Sequence, residues 1–266
     1  MQGVFVILME RSRARVVAVV PALDEAPRIA RTIATIPTIV DAIVLIDDGS
    51  RDDTTARAQA VGDARLRVVR HARRRGVGAA ISAGYSIARA LGAECAVVLA
   101  GDGQMDPRDL ERVVAPVLRG EADYVKGNRF AHSDRARAMP VERRIGGMIF
   151  SAMTRVATGL DVDDTQCGFT AIGALALDTI DWSRAWTGYG YPNAVLVALA
   201  RAGLVVREVP VRAIYGDEQS KLHLRHLPPI VAMLAKASID RVARRSRTAP
   251  PRSAHAGTTA GSREAP

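Results

Sequence analysis

The chain has 266 residues, of which 48% are apolar, and its 37 Lys and Arg against 28 Asp and Glu give a formal net charge of +9. This length and apolar content support one large or two small folded domains and exclude a chain too polar to bury a core. The basic surface is expected to attract phosphates, anionic lipid headgroups or nucleic acid.

No stretch of the sequence approaches the roughly 18–20 consecutive apolar residues that span a bilayer. The opening run VFVIL is too short for the core of a signal peptide. We therefore expect a cytoplasmic protein, with contact to a membrane surface left open.

The first half of the chain repeats one pattern of strand, turn and helix. After an N-terminal extension at 1–14, short apolar runs predict strands at 16–20, 42–46, 66–69 and 95–99. Helical patterns follow these strands at 27–35, 53–61, 76–91 and from 107 onward. The alternation predicts an α/β fold with a Rossmann-like, mostly parallel sheet flanked by helices.

The regular alternation weakens beyond residue 121. The elements predicted there are a strand at 123–126, a helix at 141–158, helices near 174–180 and 192–202, and a strand at 204–211. We expect these elements to complete the sheet within one domain at 15–225.

Residues 226–245 are predicted to form an amphipathic helix. Its apolar side chains recur at helical spacing, with arginines beside and after them. Such a helix fits either a membrane interface or a terminal helix that packs on the core with a solvated basic face. Pro, Ser, Thr, Gly and Ala dominate 246–266, and this composition predicts a disordered tail.

Acidic or glycine-bearing turns follow the four predicted strands of the first half. The residues are Asp24 and Glu25, Asp47 and Asp48, Gly76 and Gly78, and Asp102 with Gln104 between Gly101 and Met105. The carboxyl ends of parallel strands meet at one edge of a sheet, where such sheets bind ligands. Carboxylates can hold hydroxyls, base nitrogens or a hard cation, and glycines let backbone amides approach a diphosphate at a helix start. Each turn alone is more often a plain turn or helix cap, but their recurrence favours a nucleotide-diphosphate site.

The motifs in chain order resemble those of a known family. PALDE, IDDGSRDDT, GVGAAISAGY, AGDGQMDP and DTQCGF are similar to the ordered motifs of family 2 glycosyltransferases with the GT-A fold. The segment GDEQSKL at 216–222 resembles the polyprenyl-phosphate, or dolichyl-phosphate-type, mannosyl- and glucosyltransferases. The resemblance covers about 15–225. It implies inverting transfer of a hexose from a sugar of the UDP-glucose or GDP-mannose type to a polyprenyl phosphate, by an enzyme at the inner face of the cell membrane.

The resemblance also implies roles for individual residues. The expected donor-binding residues include the glycines of the turns described above. They are Pro21, Ala22, Glu25, Asp47, Asp48, Gly76, Gly78 and Gly101. Asp102 and Gln104 would hold Mg²⁺ or Mn²⁺ against the diphosphate, and Asp102 and Asp164 are the expected catalytic residues. The expected acceptor-binding residues are Arg129, Arg144, Ser220 and Lys221.

Two residues depart from the family pattern. Ala100 stands where the metal motif usually carries an Asp, which weakens the expected metal site. Arg74 stands where the family often has Asn, and this change is expected to alter the diphosphate contact.

Alternatives to lipid-phosphate transfer remain open. They are a family 2 enzyme with a soluble or glycan acceptor, and a catalytically weak nucleotide-sugar binding protein in which Ala100 marks lost metal chemistry. Nucleic-acid binding would explain the basic charge but not the acidic strand ends. Because a phosphate acceptor is largely ionised at neutral pH, Asp164→Asn is expected to reduce transfer to a phosphate and to abolish transfer to an alcohol.

Overall fold

The computed structural model describes residues 15–131, 141–188, 190–212, 214 and 227–248. Within them, seven strands form one sheet in the order β3-β2-β1-β4-β6-β5-β7. The strands are β1 (Val16–Ala22), β2 (Ala42–Asp47), β3 (Leu66–Arg70), β4 (Cys95–Val98), β5 (Tyr124–Asn128), β6 (Thr170–Gly173) and β7 (Val206–Pro210). β1 to β4 pair in parallel, β6 runs antiparallel to β4 and β5, and β7 pairs in parallel with β5.

Helices cover both faces of the sheet. They are α1 (Ile29–Ala34), α2 (Thr54–Gln59), α3 (Val77–Ala90), α4 (Leu110–Leu118), α5 (Val141–Thr158), α6 (Ala174–Thr179), α7 (Tyr191–Ala202) and α8 (Leu227–Thr248). The central strands β1, β2 and β4 are buried along their whole length, as expected for parallel strands sandwiched between helices. This arrangement confirms the predicted mixed α/β, mostly parallel architecture.

The core has two main layers, one on each face of the sheet. α3 and α7 bury Tyr85 and Leu196 on one face, and α1 and α4 bury Ile33 and Val114 on the other. A third apolar cluster joins α5, α7 and α8 through Phe150, Val197, Ile230, Leu234 and Ala237.

Backbone hydrogen bonds align the ends of the three central strands. The Asp48 amide donates to the Ala22 carbonyl at 2.9 Å, and the Gly101 amide donates to the Pro21 carbonyl at 3.0 Å. The turns that follow β1, β2 and β4 are therefore fixed side by side at one edge of the sheet.

Two features of the second half differ from the sequence prediction. β6 was not predicted, because its four residues Thr170–Gly173 are too short an apolar run to distinguish from the start of the following helix. α8 extends to Thr248, beyond the predicted end of the amphipathic helix. The N-terminal extension and the residues after 248 lie outside the described residues. In the described part of the chain, none of the helices is long and apolar enough to cross a membrane.

Candidate functional site

A cavity of about 610 Å³ opens at the carboxyl ends of β1, β2 and β4. This volume is within the range of about 300–1,000 Å³ that is typical of small-ligand sites. The cavity is also lined by Trp186, Gly188 and Gly190, and by Pro229 and Ile230 at the start of α8. The predicted ligand-binding edge of the sheet therefore borders a cavity large enough for a small ligand.

Most of the residues predicted from the sequence meet at this cavity. The predicted residues that line it are Pro21, Ala22, Glu25, Asp48, Gly76, Gly101, Asp102, Gln104 and Arg129. Those that the structure describes but that do not line it are Asp47, Gly78, Arg144 and Asp164. Ser220 and Lys221 lie outside the described residues.

The two carboxylates at the end of β2 make different contacts. Asp47 is buried and accepts hydrogen bonds from the Ser50 amide at 2.7 Å and the Thr55 hydroxyl at 2.6 Å. Burial pushes the pKa of Asp47 upward, but these hydrogen bonds outweigh it and hold the pKa below its usual range. Asp47 therefore stabilises the turn after β2 from behind the cavity wall.

Asp48 lines the cavity and also fixes the loop that follows β3. Its carboxylate accepts hydrogen bonds from the amides of Arg75 at 2.9 Å and Gly76 at 2.7 Å. The ring nitrogen Nδ1 of His71 lies 2.7 Å from the same carboxylate. Asp48 thus holds segment 71–76 at the cavity.

Gly76 and Gly78 allow a close approach between two segments of backbone. A Cβ on Gly76 would lie 2.4 Å from the Thr187 carbonyl oxygen, and Gly76 has a φ of +100°. A Cβ on Gly78 would lie 2.0 Å from the Trp186 carbonyl oxygen. These glycines let segment 186–188 pack onto the start of α3, and this contact places Trp186 at the cavity.

The loop after β4 presents oxygen ligands to the cavity. Asp102 and Gln104 line it, and the Gln104 amide donates to an Asp102 carboxylate oxygen at 3.0 Å. Asp106 caps the next helical turn by accepting from the Arg108 amide, as its position before Pro107 predicts.

A carboxylate and a side-chain amide oxygen are hard ligands that suit Mg²⁺ or Mn²⁺. Among the described residues, no group of three His, Cys, Asp or Glu side chains is placed to hold a metal ion. The residues present therefore fit a divalent ion that takes its remaining ligands from a diphosphate and water.

Arg129 lines the other side of the cavity and is held from behind by Asp164. The Arg129 Nε and Nη2 atoms lie 2.7 and 2.9 Å from the two Asp164 oxygens, and the Arg129 amide donates to Asp164 at 3.0 Å. The Asp164 side chain is 0% exposed and the Arg129 side chain 24%. Burial raises the pKa of Asp164, but the hydrogen bonds and charge of Arg129 outweigh it and hold the pKa below its usual range.

Lys126 was not identified from the sequence as a site residue. It is fully buried, and its Nζ donates to the Cys167 carbonyl at 2.6 Å, behind the cavity wall formed by 166–169. Burial lowers the pKa of the Lys126 ammonium. A lysine that follows Tyr124 and Val125 in a short strand was the signal that could have identified it.

Arg212 lines the cavity and, like Lys126, was not identified from the sequence as a site residue. Its guanidinium binds buried Asp109, with Nη2 2.7 Å from one carboxylate oxygen, and its amide donates to the other at 2.6 Å. The neighbouring Ile214 amide donates to the Gln104 carbonyl at 2.9 Å. The segment after β7 is therefore joined to the loop that carries Asp102.

The sequence and the fold were compared with known proteins. The profile of the family described as glycosyl transferase family 2 matches residues 17–178. A UDP-N-acetylglucosamine–dolichyl-phosphate N-acetylglucosaminyltransferase from Methanococcus voltae is 27% identical, over 66% of this chain and 76% of that protein. An undecaprenyl-phosphate mannosyltransferase from Micrococcus luteus is also 27% identical, over 74% of this chain and 82% of that protein.

Solved structures show a similar fold. Glucosyl-3-phosphoglycerate synthase from Mycobacterium tuberculosis, in complex with Mn²⁺, UDP-glucose and phosphoglyceric acid, superposes with a TM-score of 0.60. The two proteins are 22% identical, and the superposition covers 88% of this chain and 81% of that one.

Proposed function

Since this chain belongs to glycosyl transferase family 2 and has the GT-A fold, we propose that it transfers a hexose from a nucleotide-diphosphate sugar to a polyprenyl phosphate, with inversion at the sugar. The observation that carries this proposal is the convergence of Glu25, Asp48 and Asp102 on one cavity that Arg129 also lines. Such a cavity offers oxygen ligands to a donor and a cation to an acceptor phosphate.

The donor is expected to lie along the carboxyl ends of β1, β2 and β4. We expect Asp48 and Glu25 to accept hydrogen bonds from the nucleoside, and the diphosphate to lie near Gly76 and Val77, which line the cavity at the start of α3. Asp102 and Gln104 would hold the divalent ion. When bound, the ion neutralises the charge that develops on the departing nucleotide diphosphate.

The acceptor phosphate is expected to bind Arg129. The Asp164 carboxylate occupies the Nε and Nη2 edge of the guanidinium and fixes its orientation. The phosphate would bind the edge of the guanidinium that Asp164 does not occupy. A phosphate monoester has a second pKa near 6 and is therefore largely ionised at neutral pH. The acceptor needs little help from a general base, so the role we propose for Asp164 is to position Arg129.

An exposed apolar surface on α5 and α8 supports a lipid acceptor. On α5 it consists of Val141, Ile145, Met148, Ile149 and Val156, which share one side of the helix and are all more than half exposed. On α8 it consists of Val231, Ile239 and Val242, which are also exposed. The two helices are in contact, since Arg241 on α8 donates to the Val156 carbonyl at 2.8 Å.

Basic residues lie beside this apolar surface. Arg144 and Arg155 follow one edge of it on α5, and Arg241 lies on α8. Apolar side chains flanked by cations are typical of helices that lie in a membrane interface. Pro229 and Ile230, on the same helix α8, also line the cavity, so a membrane bound at this surface would lie near the acceptor side.

The relatives support the same acceptor class. Both curated relatives described above are named for transfer to dolichyl or undecaprenyl phosphate. The solved structure of similar fold is named as a glucosyl-3-phosphoglycerate synthase, but its 22% identity supports the fold alone.

A transfer assay tests the proposal. The protein would be incubated with UDP-glucose, UDP-galactose or GDP-mannose, each with Mn²⁺, and with undecaprenyl phosphate in detergent or phosphoglyceric acid in solution. We expect a lipid-linked hexose from one donor and no product from phosphoglyceric acid. Transfer only to the soluble acceptor would contradict a lipid acceptor, and binding of a donor without transfer to either acceptor would indicate a nucleotide-sugar binding protein.

Vesicle binding tests the apolar surface separately. Co-sedimentation with vesicles that contain anionic phospholipid is expected for the wild type and is expected to fall for Ile239→Asp combined with Val242→Asp. Ile239→Asp alone is compared with the control Leu175→Asp, which makes the same change of charge at a residue that is 60% exposed, against 69% for Ile239, and lies on α6. Equal loss in the control and the α8 variant would contradict a specific role for the α5 and α8 surface.

A further inference from the structure

We propose that Arg74 binds the diphosphate of the donor directly and supplies much of the positive charge there, so that the nucleotide is held even without a metal ion. This inference rests on the proposed function, because it assigns a role within the donor site. It concerns one cation and the group that it contacts.

Arg74 differs from the other two arginines that line the cavity, because each of those two forms an ion pair with a buried carboxylate. Arg129 is paired with Asp164, and Arg212 is paired with Asp109. Among the described residues, no carboxylate lies within salt-bridge distance of Arg74, and Arg74 is an exposed residue that lines the cavity. Its charge is therefore available to an anionic ligand.

The surroundings of Arg74 favour an anion at the same place. Gly76 and Val77, at the start of the fourteen-residue helix α3, line the cavity with Arg74. The helix N-terminus adds partial positive charge, but its Gly76 and Gly78 amides already donate to Asp48 at 2.7 Å and to the Thr187 carbonyl at 3.0 Å. The direct contact with an anion here therefore comes from Arg74. Asp48 fixes the backbone that immediately follows Arg74, because its carboxylate accepts hydrogen bonds from the Arg75 and Gly76 amides.

The opposite side of the cavity offers little to a metal ion. Ala100 lines the cavity beside Asp102 and contributes no oxygen ligand. The described residues contain no set of three metal-binding side chains. An ion held by Asp102 and Gln104 alone would be bound weakly, which leaves part of the diphosphate charge for Arg74 to neutralise.

Binding measurements with EDTA and with Mn²⁺ test this inference. Isothermal titration calorimetry would measure UDP, GDP, inorganic pyrophosphate and the free nucleosides against wild type, Arg74→Gln and Arg75→Gln. Arg75→Gln is the matched control, because it is the neighbouring exposed arginine, carries the same change of charge and is not among the residues that line the cavity. Thermal melting of each variant would verify that it is folded.

We expect the wild type to bind UDP or GDP in EDTA, and Arg74→Gln to bind it about ten- to a hundredfold more weakly, since hydrogen bonds between charged groups are among the strongest in proteins. Pyrophosphate affinity should fall in parallel, while Arg75→Gln should bind like the wild type. Equal affinity of Arg74→Gln and wild type in EDTA would overturn the inference, as would a loss for the nucleosides but not for pyrophosphate.

The same data separate the inference from the function on which it rests. Wild-type binding that requires Mn²⁺ would refute the role of Arg74 and leave the glycosyltransferase proposal standing. A wild type that binds neither UDP nor GDP in either condition would refute both.

Discussion

The buried pair of Arg129 and Asp164 leads to a quantitative prediction for Asp164→Asn. The substitution preserves the shape of the side chain but removes the negative charge that compensates a guanidinium that is only 24% exposed. Removing one partner of a buried ion pair costs about 3–5 kcal/mol, because the other charge is left buried without a partner. We expect the free energy of unfolding to fall by about 3 kcal/mol, at the lower end of this range, because Arg129 retains some access to water at the cavity.

Urea denaturation at pH 7 would measure this loss, and thermal melting should show a fall in Tm of about 6–12 °C for a chain of this size. Asp163→Asn is the control, because Asp163 is the adjacent carboxylate but its side chain is 60% exposed in its pair with Arg155. An exposed pair of this kind contributes at most about 1 kcal/mol. The contrast between neighbouring carboxylates isolates the effect of burial.

A double-mutant cycle and a pH series complete the test. Arg129→Gln should cost much less in the Asp164→Asn background than in the wild type, since the pair is already broken. The folded pKa of Asp164 lies below the ordinary Asp value of about 3.9. The ionised Asp164 therefore contributes its full stabilisation above that value, and this contribution is lost as the pH falls through the lower folded pKa. The difference in unfolding free energy between wild type and Asp164→Asn should therefore narrow below about pH 4. Losses of stability that simply add in the double mutant would contradict a buried ion pair. So would a difference in unfolding free energy below about 1 kcal/mol between wild type and Asp164→Asn at pH 7.

Further substitutions test other parts of the site. Gly76→Ala is expected to destabilise by about 3 kcal/mol or more in urea denaturation, because of its backbone conformation and the contact with the Thr187 carbonyl. Gly62 has a φ of +71° but open space around it, so Gly62→Ala should lower the free energy of unfolding by only about 1 kcal/mol. Equal losses for Gly62→Ala and Gly76→Ala would contradict a close contact between Gly76 and the Thr187 carbonyl. Lys126→Met should lower stability by about 1–3 kcal/mol, since it leaves the Cys167 carbonyl without its donor, and an unchanged urea midpoint would argue against that bond. Asp102→Asn should reduce the gain in nucleotide affinity that Mn²⁺ produces in calorimetry, whereas an unchanged gain would place the ion elsewhere.

The sequence predicted the fold well where the chain alternates short strands and helices with clear turns. The strands of the first half carry continuous apolar runs, and their acidic or glycine turns mark where each strand ends. β6 was missed because strand pairing across the sheet, rather than local pattern, makes Thr170–Gly173 a strand. Its antiparallel direction could not be read from a sequence of four residues.

The candidate site was predicted in outline, but not the contacts between its residues. The turns at Glu25, Asp48 and Asp102 converge as expected, because parallel strands bring their ends together. The pairing of Asp164 with Arg129 joins residues 35 positions apart, and the contact of Arg212 with Asp109 joins residues 103 positions apart. Such contacts depend on the tertiary fold, and neither residue type nor spacing indicates them.

A crystal structure of the protein with UDP or GDP and Mn²⁺ tests the central claim most directly. We expect the nucleotide to lie in the cavity at the carboxyl ends of β1, β2 and β4, with its nucleoside beside Asp48 and its diphosphate between Arg74 and Asp102. A nucleotide bound in any other cavity, with Glu25, Asp48 and Asp102 out of contact with it, would contradict the account.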